Sequence, residues 1–202
     1  MALLRNQCLN GDVYLALWTL DEDESYFFST YPFLLKLKEE LSSVGSKQRR
    51  LEKLATRALL YEITGNQDLV ITHHSSGKPL VKGYNISVSH TKGLVALMLS
   101  KTRIVAVDVE YQSDRVGRIA HKFINQDEEM PTLSHLLIAW CAKEALFKYF
   151  SEDNLLSTQI HLQPFKLEHQ GVIVVKNTKS DIVVKSHYFK LNKFVLVYIF
   201  ND

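Results

Sequence analysis

The chain has 202 residues, 46% of them hydrophobic, and a formal net charge of +2 at pH 7. This allows one domain or two small ones with a sizeable core, and the weak charge supplies no global field to attract nucleic acid. Two cysteines, Cys8 and Cys141, give neither a metal-ligand spacing nor a disulfide framework, and no apolar run approaches the roughly 20 residues of a membrane helix.

Val13 to Leu20 alternates and reads as a strand. Asn10, Gly11 and Asp12 precede its apolar run and acids follow it, so it does not fit a signal peptide, and a cytoplasmic protein is expected. Tyr26 to Leu41 reads as a helix. Ser46 to Thr64 is a clearer one: Ser46 is an N-cap, Leu51, Leu54, Ala58, Leu59 and Ile63 form the apolar face, and Gly65 stops it. Val70 to Thr72 is a short strand, Ser75 to Pro79 a turn, and Asn85 to Val88 a strand. Lys92-Gly93 turns the chain into a returning strand over Leu94 to Leu99.

The second half repeats this grammar. Ile104 to Tyr111 is a strand, about Val116 to Ile124 a helix, and about Thr132 to Phe150 a long helix. In that helix Cys141 beside Trp140 is expected as a reduced, buried thiol. Strands follow over Ile160 to Leu167, Val172 to Lys176, and Asp181 to Phe200 in two pieces. The expectation is an α+β protein of two related, pseudo-twofold lobes, 1–100 and 101–202. Each would have helices packed on a small antiparallel sheet. No Pro/Gly/Ser-rich linker separates them. A monomer is expected, and no membrane or nucleic-acid partner.

Chemistry concentrates at three places. In Val105-Ala106-Val107-Asp108-Val109-Glu110 the valines point one way, and Asp108 and Glu110 point the other way behind Ala106. Two carboxylates about 4 Å apart repel by roughly 1 kcal/mol in water and about 4 kcal/mol at an effective dielectric of 20. Sparse hard oxygens suit Mg²⁺, which fills its shell with water and phosphate; a solvated acidic edge is the plainer alternative. On the long helix Trp140, Lys143, Glu144, Phe147 and Lys148 lie along one stripe, so Glu144 is a third acid for that site, or half of a solvated i,i+4 pair with Lys148. Ser89 and His90 end a strand with donors that suit phosphate, and Arg49, Arg50 and Arg57 sit on the 46–64 helix, with Arg50 and Arg57 on one face.

These pieces, in this order, resemble the Sfp-type (surfactin-synthetase-activating) 4′-phosphopantetheinyl transferases. The likeness runs over about residues 46 to 150. It rests on Gly77-Lys78-Pro79, Ser87-Val88-Ser89-His90-Thr91, Val107-Asp108-Val109-Glu110, Ile119-Ala120-His121-Lys122-Phe123 with Glu128, and Trp140-Cys141-Ala142-Lys143-Glu144-Ala145-Leu146-Phe147-Lys148. It implies a Mg²⁺-dependent enzyme that moves 4′-phosphopantetheine from coenzyme A to a serine of an apo acyl or peptidyl carrier protein. Adenosine 3′,5′-bisphosphate is released. By position, Asp108, Glu110 and Glu144 are the metal set, and Glu144 is also the candidate base. Lys148 meets the leaving phosphate, and Glu128 is an acid near the site. Lys78, Ser89 and His90 contact coenzyme A phosphates, and Arg57, or failing it Arg50, holds the 3′-phosphate. The N-terminal lobe thus supplies coenzyme A contacts, and the C-terminal lobe supplies the metal-binding acids and catalytic helix.

Ala106 stands where the family usually has Gly, Thr91 replaces a Ser, and the segment from Glu128 to Trp140 is short. Residues 1–45 and those after Phe150 match no motif. Two other readings use the same residues: a Mg²⁺ nuclease or phosphohydrolase, and a non-catalytic coenzyme A or carrier-binding module. The first lacks the Lys two residues after the Glu that D…E-x-K nucleases use, since Tyr111 and Gln112 follow Glu110.

Overall fold

The computed structural model describes residues 3–201; Met1, Ala2 and Asp202 lie outside the described residues. The protein is mixed α/β, with helices and antiparallel sheets. It divides into two compact units, Met1–Thr102 and Arg103–Asp202.

The first unit is built on a four-stranded antiparallel sheet. Its strands are β1 (Leu3–Asn10), β2 (Val13–Thr19), β5 (Asn85–Thr91) and β6 (Leu94–Ser100), in the order β1-β2-β6-β5. Strand β1 does not stand out in the sequence because its polar residues, Arg5, Asn6 and Gln7, fall together and break the apolar alternation. Asn10-Gly11 marks it all the same: a hairpin joins β1 to β2, with Gly11 at φ 59°. A small hairpin of β3 (Ile71–His73) and β4 (Pro79–Val81) stands apart from this sheet, and Lys78 lies in its exposed turn.

The expected helix over 26–41 is broken into α1 (Glu24–Thr30), a 3₁₀ turn (Pro32–Leu37) and α2 (Lys38–Ser42). Pro32 has no N–H to donate and forbids a continuous helix through it. Helix α3 (Lys47–Thr64) forms as expected. Ser46 Oγ accepts from Arg49 N at 3.3 Å, and Gly65 closes the helix at φ 64°. Its Leu54, Ala55, Ala58 and Leu59 pack with Ala16, Trp18, Val95 and Leu97 of the sheet. Each fully buried leucine there is worth about 1.5–3 kcal/mol.

The second unit has a five-stranded antiparallel sheet in the order β7-β11-β10-β9-β8. The strands are β7 (Val105–Tyr111), β8 (Ile160–Leu162), β9 (Gln170–Asn177), β10 (Ile182–Leu191) and β11 (Phe194–Phe200). The strand expected over 160–167 stops at Leu162, ahead of Pro164. The helix expected over 116–124 is α4 (Arg115–Ile119) followed by a 3₁₀ turn (Ala120–Lys122). Helix α5 (Leu133–Tyr149) is started by Thr132, whose Oγ1 accepts from His135 N at 3.3 Å. It packs across β7 and β11, its Ile138, Ala142 and Ala145 meeting Ala106, Val195 and Val197. No helix among the described residues is long and apolar enough to cross a membrane.

Candidate active site

Alternation on β7 sends Ala106, Asp108 and Glu110 to the face that α5 covers. Ala106 is fully buried there, its methyl packed in the core. Asp108 is buried and Glu110 half-buried. Helix α5 meets them with three side chains one turn apart. Trp140 Nε1 donates to Glu110 Oε1 at 3.2 Å, and Trp140 is itself braced edge-on by Phe123 at 5.0 Å between ring centroids. Lys148 Nζ donates to Asp108 Oδ1 at 2.7 Å and to the Val107 carbonyl at 3.0 Å. Glu144 lies between these two along the helix. Burial pushes its carboxyl up, Asp108 and Glu110 push it further, and Lys148 opposes them. The three acids therefore sit within electrostatic reach of one another.

Cys141 also belongs to this neighbourhood. Its thiol is fully buried, hydrogen-bonds to Asp108, and is held well above the usual thiol range by burial and by the charges of Asp108 and Glu110. It is a reduced, buried thiol, as the sequence leads one to expect. Its place beside Asp108 was not evident from helical spacing.

Two residues of the expected constellation turn elsewhere. Lys143 leaves the stripe: one residue before Glu144 it is rotated about 100° around the helix, and it is buried on Glu128. Lys143 Nζ lies 2.8 Å from Glu128 Oε2 and donates to the Ser157 carbonyl at 3.3 Å. Burial pulls the Lys143 ammonium down, and Glu128 pulls it back up. Glu128 accepts further bonds from Asn125 N at Oε2 and Leu162 N at Oε1, both at 2.8 Å. Both of its oxygens are thus engaged, and its side chain is 1% exposed. Its contacts tie β8 to the segment before α5.

In the first unit, α3, β5 and the β3–β4 hairpin surround a pocket of about 260 Å³. Arg49, Lys53, Arg57, His73 and His90 line it with one acid, Glu52. Arg57 donates to the Ile71 carbonyl at 2.9 Å, and burial pulls its guanidinium below the ordinary range. His90 Nε2 lies 2.9 Å from Arg49 Nη1, and its Nδ1 lies 3.5 Å from Glu52 Oε2. An arginine can only donate, so His90 Nε2 accepts and its proton sits on Nδ1 toward Glu52.

Arg57 and His90 are thus brought together. Ser89, one residue before His90 on β5, is buried on the opposite strand face and does not line the pocket. Arg50 shares a helix face with Arg57 but is committed elsewhere, to Glu24 Oε1 at 2.8 Å and the Val44 carbonyl at 2.7 Å. Lys78, in the exposed turn, is outside the lining, whereas its neighbours Gly77 and Pro79 are in it. Sequence reasoning passed over Glu52 and His73. Glu52 was visible as an acid at i+3 from Arg49, and His73 as the end of a strand leading into the Gly77 turn.

No group of three or more His, Cys, Asp or Glu side chains among the described residues is arranged to hold a metal ion. Around β7, burial first and then Asp108 and Glu110 disfavour the Glu144 carboxylate, and a lysine ammonium sits on Asp108. No model of a known protein family matches the chain, and no curated protein matches it.

Proposed function

We propose that the protein is a phosphopantetheinyl transferase of the Sfp type, with two related lobes, acting on an apo acyl or peptidyl carrier protein. The observation that carries this reading is that helix α5 covers the Asp108–Glu110 face of β7, Lys148 pairing with Asp108 at 2.7 Å and Trp140 holding Glu110 at 3.2 Å. The basic pocket with Arg57 and His90 supports it.

On this reading Arg57, His90 and Arg49 hold phosphate of coenzyme A, with Lys78 at the pocket's edge. Asp108, Glu110 and Glu144 would hold Mg²⁺, which when bound supplies Lewis-acid stabilisation to the pyrophosphate oxygens. Glu144 takes the proton from the carrier serine as its Oγ bonds to the phosphorus that carries the pantetheine arm. A raised carboxyl is a stronger base once ionised. The bond from that phosphorus to the bridging oxygen breaks, and adenosine 3′,5′-bisphosphate leaves. Lys148 neutralises the charge that develops on the leaving phosphate. Trp140 keeps Glu110 aimed, and the Lys143–Glu128 pair keeps α5 in place.

The test is to incubate the protein with coenzyme A, Mg²⁺ and an apo carrier protein and to weigh the carrier by intact mass spectrometry. A gain of one phosphopantetheine, prevented by a chelator, is expected. Coenzyme A binding with an unchanged carrier mass would replace the enzyme by a binding module. Nucleic acid cleavage with an unchanged carrier would replace it by a nuclease.

A further inference from the structure

His90 stands in the basic pocket of the first unit with a cation on one ring nitrogen and an acid on the other. Its Nε2 lies 2.9 Å from Arg49 Nη1, and its Nδ1 lies 3.5 Å from Glu52 Oε2. This arrangement leaves the ring neutral, because a second N–H at Nε2 would point at the guanidinium N–H. Helix α3 adds Lys53 and Arg57 to the lining, and β3 adds His73. Lys53 is paired with Glu40 of α2 at 2.6 Å. Lys92, in the turn after β5, and Lys78, in the β3–β4 turn, lie outside the lining. Glu52 is the one acid in the lining, with Gln48 on its Oε1 at 3.0 Å and Arg49 on its Oε2 at 3.3 Å. The His90 side chain is 37% exposed, so solvent can deliver a proton to it.

We propose that His90 takes up a proton when a tetrahedral dianion enters this pocket, and that it thereby selects a phosphate monoester over a diester. This rests on the reading that the pocket holds a phosphate, though not on which reaction follows. An oxygen of the dianion takes the Arg49 Nη1 donor away from His90; the Arg49 side chain is 60% exposed, so it has room to turn. A proton from solvent then binds Nε2. The imidazolium donates from Nε2 to the dianion and turns its Nδ1–H toward Glu52. Arg49, Lys53 and Arg57 disfavour that charge and Glu52 favours it; two further negative charges beside the ring tip the balance. Histidine is the side chain whose charge changes near neutral pH. By linkage, a proton that the dianion favours also favours the dianion, so binding weakens as pH rises. A phosphodiester brings a single negative charge and draws less of a proton.

The test is calorimetric titration of the native protein with sulfate, and with methanesulfonate as a monoanion of like shape, in buffers of different ionisation heat. Neither anion exchanges a proton over the range in which histidine titrates, about pH 5 to 8, so any uptake belongs to the protein. Sulfate binding should take up about half a proton or more near neutrality and weaken about tenfold from about pH 6 to about pH 8. Methanesulfonate should take up clearly less. His90→Gln should bind sulfate with almost no uptake, whereas His74→Gln, outside the lining, should keep the native uptake. Sulfate binding with no uptake and equal affinity at both pH values overturns the proposal. Uptake that survives in His90→Gln also overturns it, and equal uptake with the two anions overturns the selection of a monoester. If His90→Gln fails to fold, the imidazole nitrogen resonances of His90 in the native protein decide. Both nitrogens must carry protons at saturation with sulfate at about pH 6; an unprotonated Nε2 there overturns the proposal. Should sulfate not bind at all, this proposal and the placing of a phosphate in the pocket fall together. Binding without uptake alongside successful carrier modification would remove this proposal alone.

Discussion

The basic pocket of the first unit and the acid group of the second are built on opposite principles of charge, and each contains one side chain of the opposing sign. In the pocket that side chain is Glu52, among Arg49, Lys53 and Arg57. In the acid group it is Lys148, among Asp108, Glu110 and Glu144. Glu52 is held by Gln48 at 3.0 Å and Arg49 at 3.3 Å from its own helix, and lies beside His90 of β5. It is held from its own helix and faces His90 Nδ1 at 3.5 Å. Lys148 is held by two bonds at the end of a flexible stem. One counter-charge sits within a single helix, whereas the other bridges helix and strand.

The largest effect expected is on the acid group. Asp108→Ala or Glu144→Ala should lower carrier modification by about a thousandfold or more while circular dichroism stays native. Full activity in either would remove the acid group from the mechanism. Next is the sheltered pair that the comparison leaves aside. Glu128→Gln strands the Lys143 ammonium in the core and should cost about 3–5 kcal/mol in urea unfolding. A change in rate without a change in stability would return Glu128 to the catalytic residues.

The pocket should show a binding effect rather than a rate effect. Arg57→Ala is expected to raise KM for coenzyme A about 10- to 100-fold with kcat nearly unchanged. The penalty should shrink for a coenzyme A analogue lacking the 3′-phosphate. An equal penalty with both substrates would move Arg57 away from that phosphate. The smallest effect concerns pH. The folded carboxyl of Glu144 is raised, so the folded state holds that proton more tightly than the unfolded chain does. Without metal, this destabilises the fold as pH rises from the ordinary carboxylate range through the raised one. Glu144→Gln should therefore melt slightly higher than the native protein at pH 8 and about equally at pH 4, a difference that a pair of thermal melts resolves.

Much of this was legible in the sequence because it follows from local rules. Ser46 and Gly65 bound α3, and the alternation of β7 puts Asp108 and Glu110 together. Helical spacing brings Glu144 and Lys148 to one side of α5. What was not legible depends on how far long side chains reach. Arg50 and Arg57 share a helix face, yet one reaches Glu24 and the other Ile71. Lys143 and Glu144 are sequence neighbours, and one turns to a buried partner while the other joins the acids. Glu128 reads as an acid of the site by motif. Its contacts with Asn125, Leu162 and Lys143, which hold the fold together, are set by the tertiary structure and could not be read there.

The central claim is that Asp108, Glu110 and Glu144 close on one divalent ion in the presence of coenzyme A. A crystal structure of the protein with coenzyme A and Mn²⁺, read at the manganese absorption edge, tests it directly. The account predicts an anomalous peak in contact with all three carboxylates. A peak elsewhere, or bound coenzyme A with no peak at these carboxylates, would contradict it.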